Sequence, residues 1–468
     1  MCLRFPLHKG KHRIKVMNIK KHLIFLLLLV YFSSQSTFAQ QTFSLEDALS
    51  YALSNGEAVR KAKLDILQGA FKVKEVRAGA LPQIDGTVTL NNNILSQQFL
   101  LPAAIMGGEP GEFVAVKAGT TWSSLAQVQL NQQIFNQQVF AGLKAARASE
   151  EYYQLAAKLA EENIIQQVAT NYYQVIITRQ QLAVIDANID RVLKLEKIVN
   201  SQFEVGLAKK IDLDRVKVNN SNLKTQRQEL LNSVSQQENL LKYYMGMPVT
   251  EQIAIPEASL KALEETVQRH ISDGSFNLNN LNSYLVLKKQ EELLNLQRKA
   301  FLAEFYPKLS LGANYMYNTQ SNKFNLYTNN ALNYEMSAIT LTLKVPIFDG
   351  GAKRAKLQQA NIDIEKTQID IEDSSNALQM AYENAKMQIK NSLATIETQN
   401  QNKVLAEEVY HSTENNYHNG LASLTDLLDA ETELVSAQNS YNQALLNYKV
   451  AEIELIKSQG KIKSLINK

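Results

Sequence analysis

Between Gly142 and Gly206 the chain runs for 63 residues without a Gly or a Pro. A single helix over that stretch would reach about 95 Å, far longer than a compact domain is wide. Within it Val168, Val175, Leu182 and Ile189 step by sevens, as do Ile185, Val192 and Val199. Leu427, Leu434, Tyr441, Tyr448 and Leu455 repeat the step near the other end of the chain. A sustained seven-residue apolar period marks helices wound on one another. The remaining faces are rich in Gln, Asn, Lys and Glu, which suits contact with water. Only 8 prolines and 18 glycines punctuate all 468 residues, so long helices are expected elsewhere too.

Two sharp breaks interrupt these helices. They read "VGLA" at Gly206, Leu207 and Ala208, and "NGLA" at Gly420, Leu421 and Ala422. Gly supplies the left-handed conformation that stops a helix. Ser423 is set to cap the helix that follows, and Asp212 and Asp426 fall early in the returning helices, where a negative charge suits the dipole.

The two breaks belong to a longer repetition. Leu81-Pro82 matches Tyr306-Pro307, and Ile134-Phe135 matches Ile347-Phe348, the latter within Pro346-Ile347-Phe348-Asp349-Gly350-Gly351. Gly206 follows Phe135 by 71 residues, and Gly420 follows Phe348 by 72. Phe135 follows Pro82 by 53 residues, whereas Phe348 follows Pro307 by 41. A duplication with one longer loop accounts for this. The expected halves are 40–252 and 253–468. The first holds a strand hairpin at about 82–135 and a helical hairpin at about 137–245. The second holds a strand hairpin at about 307–348 and a helical hairpin at about 352–466. Shorter helices are expected at about 45–78, 257–272 and 279–304, with "SLED" at Ser44 as a capping box.

The strands alternate with period two. Ala126, Val128 and Leu130 interleave with Gln127, Gln129 and Asn131. Ile339, Leu341, Leu343 and Val345 interleave with Thr340, Thr342 and Lys344. Leu309, Leu311, Ala313, Tyr315 and Tyr317 share one face, and residues 84–92 are a weaker fourth case. Residues 100–113 and an Asn-rich stretch at 318–333 are expected as connecting loops. Trp122 and the strand tyrosines suit an interfacial aromatic belt.

The N-terminus is laid out as a secretory signal peptide over 1–39. A basic "KVMNIKKH" precedes the apolar "LIFLLLLVYF" and the small-residue "STFA", with Met17 a possible true start. Residues 1–39 hold 7 of the 49 Lys and Arg and none of the 46 Asp and Glu, so the remainder carries a net charge of −4. Nucleic acid is therefore not implied as a partner. Cys2, the only cysteine, lies before the apolar run, which leaves no disulfide and no thiolate metal site beyond it. His411 and His418 are read as solvated rather than as metal ligands. No Ser/His/Asp motif, P-loop or Rossmann fingerprint occurs, so neither an enzyme nor a cofactor is expected.

Four strands with one apolar face cannot close a barrel, and an open sheet edge cannot face lipid. Strands of this kind lie in a membrane only if several chains share one barrel. Three chains supply twelve strands and twelve helical passes, enough to surround a tube. The alternative is an exported coiled-coil scaffold or adhesin without a pore.

Over essentially the whole length beyond the signal, the chain resembles the TolC-like outer-membrane efflux proteins, or outer membrane factors. The residues that carry the likeness are "ALPQI" with "FYPKL", "VPIFDGG", and the paired "VGLAKKID" and "NGLASLTDLLDA" turns. The resemblance implies a mixed α and β membrane protein. It would be a homotrimer, with a 12-stranded β-barrel in outer-membrane lipid continued by a periplasmic α-helical barrel. Such a channel-tunnel serves tripartite efflux or type I secretion, conducting passively once partners open it. The implied partners are a periplasmic membrane-fusion adaptor and an inner-membrane transporter of RND, ABC or MFS type. The resemblance makes Gly206, Leu207, Ala208, Gly420, Leu421 and Ala422 the adaptor-docking tips. It makes Asp212, Tyr417, Asp426 and Asp429 the periplasmic aperture. Best-known members carry an Arg two residues after the second tip Gly; here Ala422 stands there, so other contacts must hold the aperture shut. Ile134, Phe135, Pro346, Ile347, Phe348, Gly350 and Gly351 would mark the passage from barrel to tunnel.

Overall fold

A computed structural model of the chain describes residues 41–256 and 275–466. The export signal expected at 1–39 and the helix expected at about 257–272 lie outside the described residues. In chain order the first elements are β1 (Gln41–Thr42), α1 (Leu45–Asn55), α2 (Glu57–Ala78) and β2 (Gln83–Asn92). Next come β3 (Gln97–Pro102), β4 (Phe113–Ala118), β5 (Trp122–Phe135), α3 (Gln137–Glu204), α4 (Lys210–Met245) and β6 (Ile253–Ala254). Then follow α5 (Asn282–Ala303), β7 (Lys308–Ser321), β8 (Leu332–Lys344), α6 (Ala352–His418) and α7 (Leu424–Ser458).

α3 has 68 residues and α6 has 67. Each is about 100 Å long at 1.5 Å per residue. The seven-residue stripes face inward: Val168, Val175, Val192 and Val199 are fully buried, and Leu427, Leu434, Tyr448 and Leu455 nearly so. Leu182 and Tyr441 are only half-buried.

Four strands form one antiparallel sheet in the order β2-β5-β7-β8. One row crosses it as Ile84, Leu130, Ala313 and Ile339; the next residues along form the row Gln83, Asn131, Gly312 and Thr340. The sheet thus has an apolar face, which Glu335 interrupts near the outer end of β8, and a polar face. None of the described helices is long and apolar enough to cross a membrane.

The helices continue the sheet in the same order. α2 and α4 pack on α3, α5 and α7 also pack on α3, and α6 packs on α5 and α7. The chain is therefore a row of four columns, two of them built from stacked helices. At each stack one glycine meets the other helix's approach. Gly246, just past α4, lies so close to the α1–α2 corner that an added Cβ would sit 2.5 Å from Asn55 O. Gly460, just past α7, meets the Asn280 carbonyl in the same way.

Three expectations need correction. The helix expected over 45–78 is two, because the backbone at Gly56 is extended (ψ 129°), giving α4 a corner to abut. Residues 100–113 are not simply a loop. β3 and β4 pair from Gln97↔Ala118 to Pro102↔Phe113, with a short 3-10 turn at Ala103–Met106. The segment expected at 279–304 opens as a 3-10 turn, Leu278–Asn280, before α5 begins. The capping box at Ser44 forms as read, with Asp47 in the return position. Trp122 packs edge-on against Phe324 at 4.7 Å, and Tyr317 stacks on Tyr327, at the end of the sheet away from the helices.

Candidate functional site

α3 turns back into α4 through Gly206, Leu207 and Ala208, and α6 turns back into α7 through Gly420, Leu421 and Ala422. The two turns make the same hydrogen bonds. Gly206 N–H donates to Phe203 O at 3.0 Å and Leu207 N–H to Gln202 O at 2.7 Å; Gly420 N–H donates to Tyr417 O at 3.0 Å and Leu421 N–H to Asn416 O at 2.8 Å. With φ of +79° and +74°, the two glycines hold the left-handed stop that other residues adopt only under strain. Leu207 is 82% exposed and Leu421 78%, so each turn offers an apolar side chain at its apex.

The helices that return from the turns start differently. Lys209 precedes α4 with no side-chain cap. Before α7, the Ser423 hydroxyl accepts from Asp426 N–H at 3.2 Å, and the Asp426 carboxylate accepts from the Ser423 hydroxyl at 2.7 Å and its N–H at 2.9 Å. The Ser423 hydroxyl, and then its backbone N–H, hold the Asp426 carboxyl below the usual range. Asp426 therefore closes the cap of α7. Asp429, one turn on, is exposed and lines an open groove of about 470 Å³ with Ile211, Asp214, Arg215, Val218 and Leu428.

Asp212 and Tyr417 come together from different hairpins. Burial first, and then the nearby Asp212 charge, push the Tyr417 phenol up. Ala422 offers no charge. Arg215, from α4, instead crosses to α7 and donates to Thr425 Oγ1 at 3.2 Å. The sequence reading missed that contact, which links positions 210 residues apart. It also missed Arg191 and Glu431, which meet farther up the columns. A signal for Glu431 was available: it sits four residues after Leu427 and three before Leu434, on the apolar stripe. His411 is exposed, as its solvated reading expects, and its Nδ1 also lies 3.5 Å from Glu414 Oε2, an acidic neighbour one turn on that the sequence reading overlooked.

At the other end, a polar side chain that accepts backbone N–H groups follows Ile-Phe at both strand-to-helix junctions. After Ile134 and Phe135, the Asn136 side chain accepts from Gln138 N–H at 3.1 Å. After Pro346, Ile347 and Phe348, the Asp349 carboxylate accepts from Gly351 N–H and Lys353 N–H, both at 3.1 Å. Ile134-Phe135 thus end β5 with the Asn136 cap of α3 directly attached, whereas Ile347-Phe348 lie past the end of β8 at Lys344, and Asp349 braces a turn that enters α6 through Gly351. Ile347 is 94% exposed and Phe348 90%, with Gly350 and Gly351 carrying the chain into α6. Among the described residues no group of three or more His, Cys, Asp or Glu is placed to hold a metal ion.

The family described as outer membrane efflux protein matches this chain over residues 48–247 and 285–461. The outer membrane protein TolC of Vibrio cholerae is 20% identical over 388 residues, covering 83% of this chain and 84% of that one. The alkaline protease secretion protein AprF of Pseudomonas aeruginosa is 23% identical over 343 residues, covering 70% and 68%. The crystal structure of the Campylobacter jejuni CmeC outer membrane channel superposes with a TM-score of 0.71 at 14% identity, covering 89% of this chain and 85% of that one.

Proposed function

The chain belongs to the outer membrane efflux protein family, and from that premise we propose that three copies close into one channel-tunnel serving a tripartite efflux or type I secretion assembly. The outer-membrane location and the general role as an efflux channel come with the family. The trimer, the aperture and the partners are the further reading.

One observation carries it. The sheet and the helical layer are open at the same two sides. β2 and β8 are the edge strands, exposed along their whole length. Below them the end columns carry exposed apolar side chains: Leu64, Leu67 and Phe71 on α2, and Ile362, Ile369 and Met387 on α6. Unpaired strand edges are not tolerated in lipid, and cyclic symmetry joins one edge to the other without leaving a third. Four strands per chain give twelve in a trimer. The exposed apolar sheet face counts against the pore-less scaffold.

In this reading residues 1–39 are a cleaved export signal, and 40–252 and 253–468 are duplicated halves. The polar sheet face and the tunnel conduct passively, so energy comes from an inner-membrane transporter. The exposed tip leucines meet the periplasmic adaptor. Asp212, Tyr417, Asp426 and Asp429 surround the aperture, and three copies of Asp429 favour cations. The test is the reversal potential in a salt gradient. Asp429→Asn is expected to move it toward zero without loss of assembly, because this carboxylate, unlike that of Asp426, caps no helix. An unchanged potential would remove Asp429 from the aperture.

A further inference from the structure

The two helical hairpins of one chain touch where α3 packs against α7. That seam is apolar for most of its length, with Ile185, Ile189, Val192, Leu427 and Leu434 in one cluster. One ion pair interrupts it. Arg191 Nε, from α3, donates to Glu431 Oε1, from α7, at 3.3 Å, and the Glu431 side chain is only 4% exposed. The Arg191 guanidinium also lies over the Tyr410 ring of α6, 5.6 Å from its centroid. The Tyr410 hydroxyl donates to Glu414 at 3.1 Å, and Glu414 lies 3.5 Å from the His411 ring nitrogen. One guanidinium thus gathers three of the columns just above the tip turns.

We propose that Arg191 and Glu431 position the second hairpin against the first, as a proton-dependent latch that holds the aperture closed where Ala422 supplies no charge. This rests on the channel reading above. Separating the hairpins would expose Glu431 to water, so the latched and released states differ in how easily that carboxyl carries charge. The charges that act on Glu431 are Arg191 from α3, which favours ionisation, and Glu414 from α6, which opposes it. Burial outweighs both and pushes the Glu431 carboxyl up to about 7. The sign follows from linkage. A carboxyl raised on burial binds its proton more tightly in the latched state, so low pH favours the latch. Above about 7 the buried form must carry its charge, and the latch loosens. A protonated Glu431 still accepts the Arg191 Nε–H through its carboxyl oxygen, so the contact outlives the charge, whereas released hairpins gain nothing from that proton.

The experiment is macroscopic conductance of the full-length protein in planar bilayers between pH 5.5 and 8.5, for wild type, Glu431→Gln and His411→Asn. Wild-type conductance is expected to rise on the order of threefold or more as pH increases, since a latch present in each copy multiplies the linkage. Glu431→Gln keeps the shape without the titration and should give a flat, low profile. His411→Asn should keep the wild-type profile. A wild-type slope that survives Glu431→Gln, or vanishes in His411→Asn, would overturn the assignment while leaving the channel intact. A flat wild-type profile in a conducting protein would do the same. Absence of current at every pH in membrane-inserted protein would instead overturn the channel reading, and the latch with it.

Discussion

Ile339→Lys is expected to block assembly into the outer membrane, whereas Thr340→Lys, one residue along the same strand, is expected to insert. Ile339 is 81% exposed and stands at the end of the apolar row through Ile84, Leu130 and Ala313. A lysine on the lipid face of a barrel near the bilayer centre costs about 2–4 kcal/mol, and a trimer incurs it three times. Thr340 lies on the face with Gln83 and Asn131, which the channel reading turns toward water. A lysine there alters the charge of the lumen rather than meeting hydrocarbon. Heat-modifiable, membrane-extracted protein measured for the two variants checks the pair. Equal insertion of both would mean that the apolar face does not meet lipid.

Gly246→Val is expected to cost more than about 3 kcal/mol, because two penalties coincide. The residue has φ +73°, and its added Cβ would lie 2.5 Å from Asn55 O and 2.8 Å from Asn55 C. The neighbours are backbone, so neither can swing aside. Gly107→Val separates the two effects, since Gly107 has φ +84° with nothing within 4 Å of its Cβ position. That variant should lose only the strain of a left-handed residue, about 1–2 kcal/mol. Thermal unfolding followed by the helical signal in detergent gives the comparison. Similar losses in the two variants would show that the stacked joint between α4 and the α1–α2 corner does not need its close approach.

These joints also mark where sequence reading stops. Long helices were legible because breakers are missing over whole segments, and the buried side of α3 because Val168, Val175, Val192 and Val199 keep one period. Strands were legible from alternation, and the tip turns from Gly placed after an uninterrupted helix. Each of these signals is local. The β3–β4 hairpin was missed because its six-residue strands flank a Gly- and Pro-rich segment whose composition alone reads as loop. Gly246 looks like an ordinary helix stop; its collision partner, Asn55, lies 191 positions away. Arg191 and Glu431 are 240 positions apart, and their meeting depends on how two hairpins pack. At the tips, the sequence placed Asp426 and Asp429 side by side as equivalents. Their surroundings divide them, because Ser423 draws Asp426 into a helix cap and leaves Asp429 facing the groove.

Single-channel recording of the purified, detergent-extracted protein in a planar bilayer tests whether three copies enclose a conducting pore. Discrete, cation-selective steps are expected from a species that sediments as a trimer. A trimer verified as membrane-inserted that gives no steps, with Asp212→Ala equally silent, would contradict the channel reading.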